Sequence, residues 1–133
     1  GLNIIAKSTP VILPLHPRTK NIINNGSFDI NNLTIVEPLG YLEMVYLLKR
    51  SKIVMTDSGG LQKEAFFFKK PSITLRDETE WIELIDEGFN TLVGANTLKI
   101  IKAFNNQDYN IDFNVDLYGK GKACYKIVLE LMK

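Results

Sequence analysis

The strongest constraint in this sequence is an alternation of short, β-branched apolar runs with longer segments of helical spacing. The runs are "VILPL" (11–15), "LTIVE" (33–37), "KIVMTD" (52–57), "SITLR" (72–76) and "TLVG" (91–94). Each is almost continuously apolar, the pattern of strands buried on both faces of a parallel sheet. Between them lie helical patterns. In "GYLEMVYLLKR" (40–50), Tyr41, Met44, Val45 and Leu48 share one face, and Lys49 and Arg50 stand at the C-terminal end, where the helix dipole favours cations. "GGLQKEAFFFKK" (59–70) puts Leu61, Ala65 and Phe68 on one stripe. "ETEWIELIDEG" (78–88) begins with acids and stops at Gly88, a C-cap residue. "NTLKIIKAF" (96–104) and "GKGKACYKIVLELMK" (119–133) complete the series, and the polar stretch 105–118 reads as a surface connection. Such alternation predicts right-handed βαβ units, hence an α/β domain with a parallel sheet flanked by helices.

The 133 residues suffice for one domain with one core. With 16 Lys+Arg against 15 Asp+Glu, there is no electrostatic case for nucleic acid. No apolar run approaches the roughly 20 residues of a membrane helix. The "GLNIIAKSTP" N-terminus lacks the apolar core of a signal peptide, so a cytoplasmic protein without membrane association is expected. A single cysteine, Cys124, and a single histidine, His16, exclude an internal disulfide and any Cys- or His-rich metal site.

Open parallel sheets bind ligands beyond the carboxyl ends of their strands. At those ends stand His16, Pro17 and Arg18; Pro38, Leu39 and Gly40; Asp57, Ser58, Gly59 and Gly60; and Arg76 and Asp77. Strand-to-helix corners collect small and polar residues anyway, but jointly these positions describe a binding edge. Ser58 is not a hydrolase nucleophile, because Thr56 stands where the first glycine of the elbow G-x-S-x-G belongs and His16 precedes the serine instead of following it. "DSGGLQKE" also fits neither G-x-G-x-x-G nor a P-loop. Two glycines opening a helix leave backbone N–H groups uncovered at the positive end of its dipole, which suits phosphate. Ser58 can add its hydroxyl and its amide, and Asp57 or Ser58 can also simply cap the helix. Glu64, four residues after Gly60, leans toward the same opening and suits a ribose diol, although a solvated surface glutamate would have the same spacing.

The segment "TDSGGLQKEAFFFKKPSITLRDETEWIELIDEGFNTLVG" (56–94) resembles the C-terminal half of the non-hydrolysing UDP-N-acetylglucosamine 2-epimerases. That family reads T-D-S-G-G-x-Q-E-E, G-K-P, R-D-x-T-E-R-P-E and L-V-G in this order. "PVILPLHPRT", "PLGYLEMVYLLKRS" and "LYGKGKACYKI" match its flanking P-x-H-P strand, P-x-x-Y-x-x-F-x-x-L helix and Y-G-D-G-x-A helix. The resemblance implies the UDP-binding half of a two-domain enzyme of glycosyltransferase B architecture, which eliminates UDP and re-adds it with inversion at C2, using neither NAD nor an obligatory metal. It implies Ser58, Gly59 and Gly60 at the diphosphate and Glu64 at the ribose. It also implies Pro38, Tyr41 and Met44 flanking the uracil, and His16, Arg76 and Glu80 in the cleft.

Three departures stand out. "TEWIE" replaces T-E-R-P-E, as in relatives acting on UDP-diacetamido-uronic acids; Lys63 replaces a glutamate; and "FFFKKP" replaces a small residue and Gly before Lys-Pro, with Phe66 to Phe68 read as core or, for one of them, as facing the partner domain. The family's N-terminal domain, with its proton-transferring acids, and the first strand of the second domain have no counterpart here. "NIIAKST" resembles the end of the helix after that strand. In the strand order 3-2-1-4-5-6 it is central, so the sheet is expected to close differently, borrow a strand or be strained. The implied partners are a UDP-sugar, the N-terminal domain and a second copy in a homodimer. The 133 residues alone are expected not to epimerise. A glycosyltransferase half and a non-catalytic oligomerising module remain as alternatives.

Overall fold

A computed structural model describes all residues, 1–133. Each of the five apolar runs forms a short strand: β1 (Ile12–Pro14), β2 (Thr34–Val36), β3 (Val54–Thr56), β4 (Ser72–Thr74) and β5 (Asn90–Leu92). The helices are α1 (Leu2–Ile5), α2 (Pro17–Asn25), α3 (Tyr41–Arg50), α4 (Gly59–Phe67), α5 (Ile82–Asp86), α6 (Thr97–Asn105) and α7 (Ala123–Leu131), with a 3-10 turn at Gly119–Gly121. No helix is long and apolar enough to cross a membrane.

All strand pairs are parallel, as the run pattern predicts, but they form two sheets: β1 with β2, and β3-β4-β5. The parallel α/β pattern is as expected, with the sheet in two parts. The break falls between β1 and β3, where the order 3-2-1-4-5-6 puts its first strand. The Val11 carbonyl accepts from the Thr34 amide, and the Leu15 amide donates to Val36. Since backbone groups alternate along a strand, Ile12 and Pro14 turn theirs to the open side. Proline has no N–H to leave unpaired, and so suits an edge. On β3, the Val54 amide and Thr56 carbonyl serve β4, leaving Met55 to face the other open edge.

Three apolar clusters build the core. Ile5, Ile73, Val93 and Ile100 join α1, β4 and α6, with Val11, Ile53 and Met55 packed against them. Leu48, Val54 and Ala65, with Met44, Leu61 and Phe68, join α3 to α4 over β3, which uses the predicted stripe of α4. Phe66, Leu84 and Phe89 form the third with Trp81, Ile111, Phe113, Leu117 and Tyr118. Stretch 105–118 therefore does more than connect, because its apolar residues seal this cluster and Phe113 stacks on Phe89 at 4.8 Å. Phe66 and Phe68 are core as expected, whereas Phe67 is 58% exposed.

Other differences have local causes. Residues 78–81 are not helical, since Trp81 at φ −105°, ψ 63° is held by the Thr79 hydroxyl, which accepts from its amide at 3.2 Å. Helix α2 carries no buried residue, and its only aliphatic side chains, Ile22 and Ile23, are too few to mark a face; Pro17 at its first position and the His16 cap start it. Gly88 closes α5 at φ +77°, its amide donating to Ile85. Lys69 takes the same role after α4 at φ +57°, the left-handed region where the family pattern has glycine. Helix α7 buries none of its residues.

Candidate functional site

The carboxyl end of β3 runs straight into α4, and Ser58 is the N-cap residue with extended backbone. Its side chain makes no capping bond, so the hydroxyl stays free. Its amide is taken, donating to the Thr56 hydroxyl at 3.0 Å, which corrects the expectation that both groups serve a ligand. The first helical bond to a backbone carbonyl is made by the Gln62 amide, to Ser58. The amides of Gly59, Gly60 and Leu61 find no acceptor in the chain. Three unpaired donors at the positive end of a nine-residue helix make a cradle whose geometry suits an anion.

The cradle rests on a buried polar network. Gln62, fully buried, accepts through Oε1 from the Thr79 hydroxyl at 2.6 Å and from Asn90 Nδ2 at 3.0 Å. The Thr74 hydroxyl donates to Asn90 Oδ1 at 2.9 Å, and Gln62 Nε2 points at the Ser58 carbonyl at 3.4 Å. These bonds join the cradle's first turn to β4, β5 and the 76–81 loop, and no buried side-chain polar atom of the chain is left unpaired. Thr74 and Asn90 belong to no local sequence motif, and Gln62 stands in the glycine-opened segment without an assigned role. The available signal was polar residues inside otherwise apolar strand and helix faces.

Arg76, just beyond β4, forms a forked pair with Glu80, its two terminal nitrogens 3.3 and 3.2 Å from Oε2 and Oε1. A hydrogen bond to its own backbone, and then Arg76, hold the Glu80 carboxyl below the usual carboxylate range. Glu80 Oε2 lies 3.2 Å from where a Cβ at position 59 would stand, so Gly59 admits the pair beside the cradle. At Gly94, φ +64°, a Cβ would run into the Asp77 carboxylate, so this glycine lets the β4 and β5 corners close.

Glu64 is half-buried on α4, and its carboxylate carries no ion pair or hydrogen bond. Tyr41, 67% exposed, opens α3, where the Glu43 carboxylate accepts from the Gly40 amide at 2.8 Å. Pro38 is exposed ahead of it, whereas Met44 is committed to the α3–α4 contact. His16 is exposed at the end of β1; its Nδ1 accepts from the Arg18 amide at 3.3 Å, leaving Nε2 as the outward nitrogen. The structure thus brings Ser58, Gly59, Gly60, Arg76 and Glu80 into one cluster, with Glu64 one turn along α4. Tyr41 and Pro38 stand at the neighbouring helix start, and His16 stands on the smaller sheet. No group of three or more His, Cys, Asp or Glu is placed to hold a metal ion. A separate groove of about 810 Å³ lies between α6 and residues 106–112, lined in part by Lys99, Lys102, Asp108 and Asp112.

The family model of UDP-N-acetylglucosamine 2-epimerase matches residues 2–132, nearly the entire chain. The chain belongs to the UDP-N-acetylglucosamine 2-epimerase family. Among curated family members it is 48% identical over 125 residues to the UDP-2,3-diacetamido-2,3-dideoxy-D-glucuronate 2-epimerase of Pseudomonas aeruginosa, covering 93% of this chain and 35% of that enzyme. It is 41% identical over 126 residues to the UDP-N-acetylglucosamine 2-epimerase of Methanocaldococcus jannaschii, covering 89% and 34%. The crystal structure of the Methanocaldococcus jannaschii enzyme in complex with UDP-GlcNAc and UDP superposes with a TM-score of 0.80 at 37% identity, over 98% of this chain and 38% of that one. That of the Neisseria meningitidis enzyme bound to UDP-GlcNAc gives 0.77 at 34%, over 98% and 39%. The chain therefore spans little more than a third of these epimerases.

Proposed function

We propose that these 133 residues are a single Rossmann-like domain, the UDP-binding half of a nucleotide-sugar 2-epimerase. Its substrate would be UDP-N-acetylglucosamine or a related UDP-acetamido sugar. The observation that carries this reading is the trio of unpaired amides at Gly59, Gly60 and Leu61 beside the free Ser58 hydroxyl. In this reading Ser58, Gly59 and Gly60 hold the diphosphate, Glu64 accepts from the ribose diol, and Pro38, Tyr41 and the edge of Met44 flank the uracil. Arg76, Glu80 and His16 face the sugar side of the cleft. The epimerisation eliminates UDP and re-adds it with inversion at C2. Charge develops on the leaving diphosphate, so fixed donors there stabilise the transition state.

Proton transfer is assigned to carboxylates of the enzyme's N-terminal domain, the partner that would also complete the cleft, so the 133 residues alone bind without turning over. The uronate enzyme among the relatives supports an acetamido-uronic acid as the sugar. The natural setting of such chemistry is the cytoplasmic supply of sugars for polysaccharide assembly. Calorimetric titration with UDP tests the reading, with Ser58→Ala and Glu64→Ala as controls. Saturable binding weakened by both substitutions is expected. Absence of heat at millimolar UDP would sink the nucleotide site.

A further inference from the structure

Trp81 is the only tryptophan of the chain, and the fold uses two sides of its indole. Its Nε1–H donates to the Gly59 carbonyl at 2.8 Å. The ring face carries the Lys63 ammonium, 4.1 Å from the centroid. The same ammonium lies 4.4 Å from the Tyr118 ring centroid, and the two rings meet edge to face at 6.5 Å and 89°. Tyr118 is fixed in turn, its hydroxyl donating to Glu83 at 2.8 Å. Gly59 and Lys63 are one helical turn apart, so the indole grips two successive rungs on one face of α4.

A first turn is the part of a helix that frays, because its amides have no partners to hold them. Those are the amides the cradle offers. A carbonyl engaged in the helix keeps a second lone pair, and the indole uses that of Gly59, pinning the turn from outside without covering its amides. The cation on the ring face holds the indole in turn, an attraction independent of the N–H bond.

On the UDP reading above, we propose that Trp81 is a positioning residue, which holds the first turn of α4 in its phosphate-binding shape through the Gly59 carbonyl. The decisive variant is Trp81→Phe, which keeps a ring under Lys63 and removes the N–H donor. Two readouts are measured on the 133-residue chain: amide hydrogen exchange, and UDP affinity by calorimetry. Exchange at Gln62 and Lys63, the first bonded amides of α4, is expected to accelerate about fivefold while Ile73 in β4 keeps its rate, and UDP binds about fivefold more weakly. Unchanged exchange at Gln62 and Lys63 overturns the proposal. So does acceleration that spreads equally to Ile73, which would make Trp81 a general packing residue, or unchanged UDP affinity despite a loosened turn. If the unsubstituted chain fails to bind UDP, the nucleotide reading falls, and the indole's hold on the turn is decided by exchange alone. Should Trp81→Phe not fold, Lys63→Met removes the cation from the ring and is expected to raise the same two exchange rates about threefold; no change there overturns the proposal.

Discussion

The β3-β4-β5 half and the β1-β2 half start from similar apolar runs but are buried to very different degrees. Ile73 in β4 is fully buried, whereas Ile12 in β1 is 48% exposed. Between Ala6 and Leu47 only Leu15 is buried, while the three core clusters draw on residues from Met44 onward together with Ile5 and Val11. The difference teaches that continuous apolarity marks a strand intended for two-sided cover, and that cover depends on neighbours as well as sequence. β4 has β3 and β5 beside it and helices on it; β1 has one paired edge, and its helix α2 buries nothing. The first turn of α4, the proposed phosphate site, is built on the covered half, where a polar network can be kept dry.

The sharpest way to break this comparison is a matched pair of truncations. Ile73→Ala is expected to cost about 4 kcal/mol, as a fully buried isoleucine in a close-packed cluster, and Ile12→Ala about 1 kcal/mol; urea unfolding followed by far-ultraviolet dichroism gives both. Equal costs would mean that β1 is as well covered as β4. Next in size is Gln62→Ala. Removing its carbonyl leaves the Thr79 hydroxyl and an Asn90 N–H without their acceptor, an expected loss of about 3 kcal/mol in the same assay. A loss under about 1 kcal/mol would show the network to be dispensable.

Lys69→Gly tests the helix end that separates the two motifs of the site. It relieves a left-handed lysine and should stabilise the chain by about 1 kcal/mol; a destabilisation would show that the Lys69 side chain matters more than its backbone. The smallest effect concerns alkaline pH. Burial, and then the Glu83 hydrogen bond and charge, raise the Tyr118 phenol well above its ordinary value of 10.0. The folded chain therefore keeps a proton that the unfolded chain releases above about pH 10, so this contribution is whole below that pH and lost as pH rises beyond it. Tyr118→Phe should flatten the stability decline above pH 10 measured by urea titration, and an unchanged slope would contradict the assigned shift.

All five strands and the glycine-opened helix were legible in the sequence, because apolar runs and a Gly-Gly corner are local signals. Ser58, Gly59 and Gly60 follow from that corner alone. Gln62, Thr74 and Asn90 did not, since they pair across 16 to 28 residues of chain and each reads singly as an ordinary polar residue. Trp81 was visible only as a departure from the family pattern, and its bond to Gly59 spans 22 residues. Helix α2 escaped because its only aliphatic residues, the adjacent Ile22 and Ile23, are too few to set a period. The division of the sheet depends on which edges the five strands can satisfy, and Pro14 sits on one of them.

The central claim, that the first turn of α4 is a UDP cradle, is tested most directly by following backbone amide resonances of the isotopically labelled chain during a UDP titration. Gly59, Gly60 and Leu61 should shift together and saturate at one common affinity, as their unpaired N–H groups take up phosphate oxygens. Stationary resonances for those three at millimolar UDP, or shifts confined to the Lys99–Lys102 side of the separate groove, would contradict it.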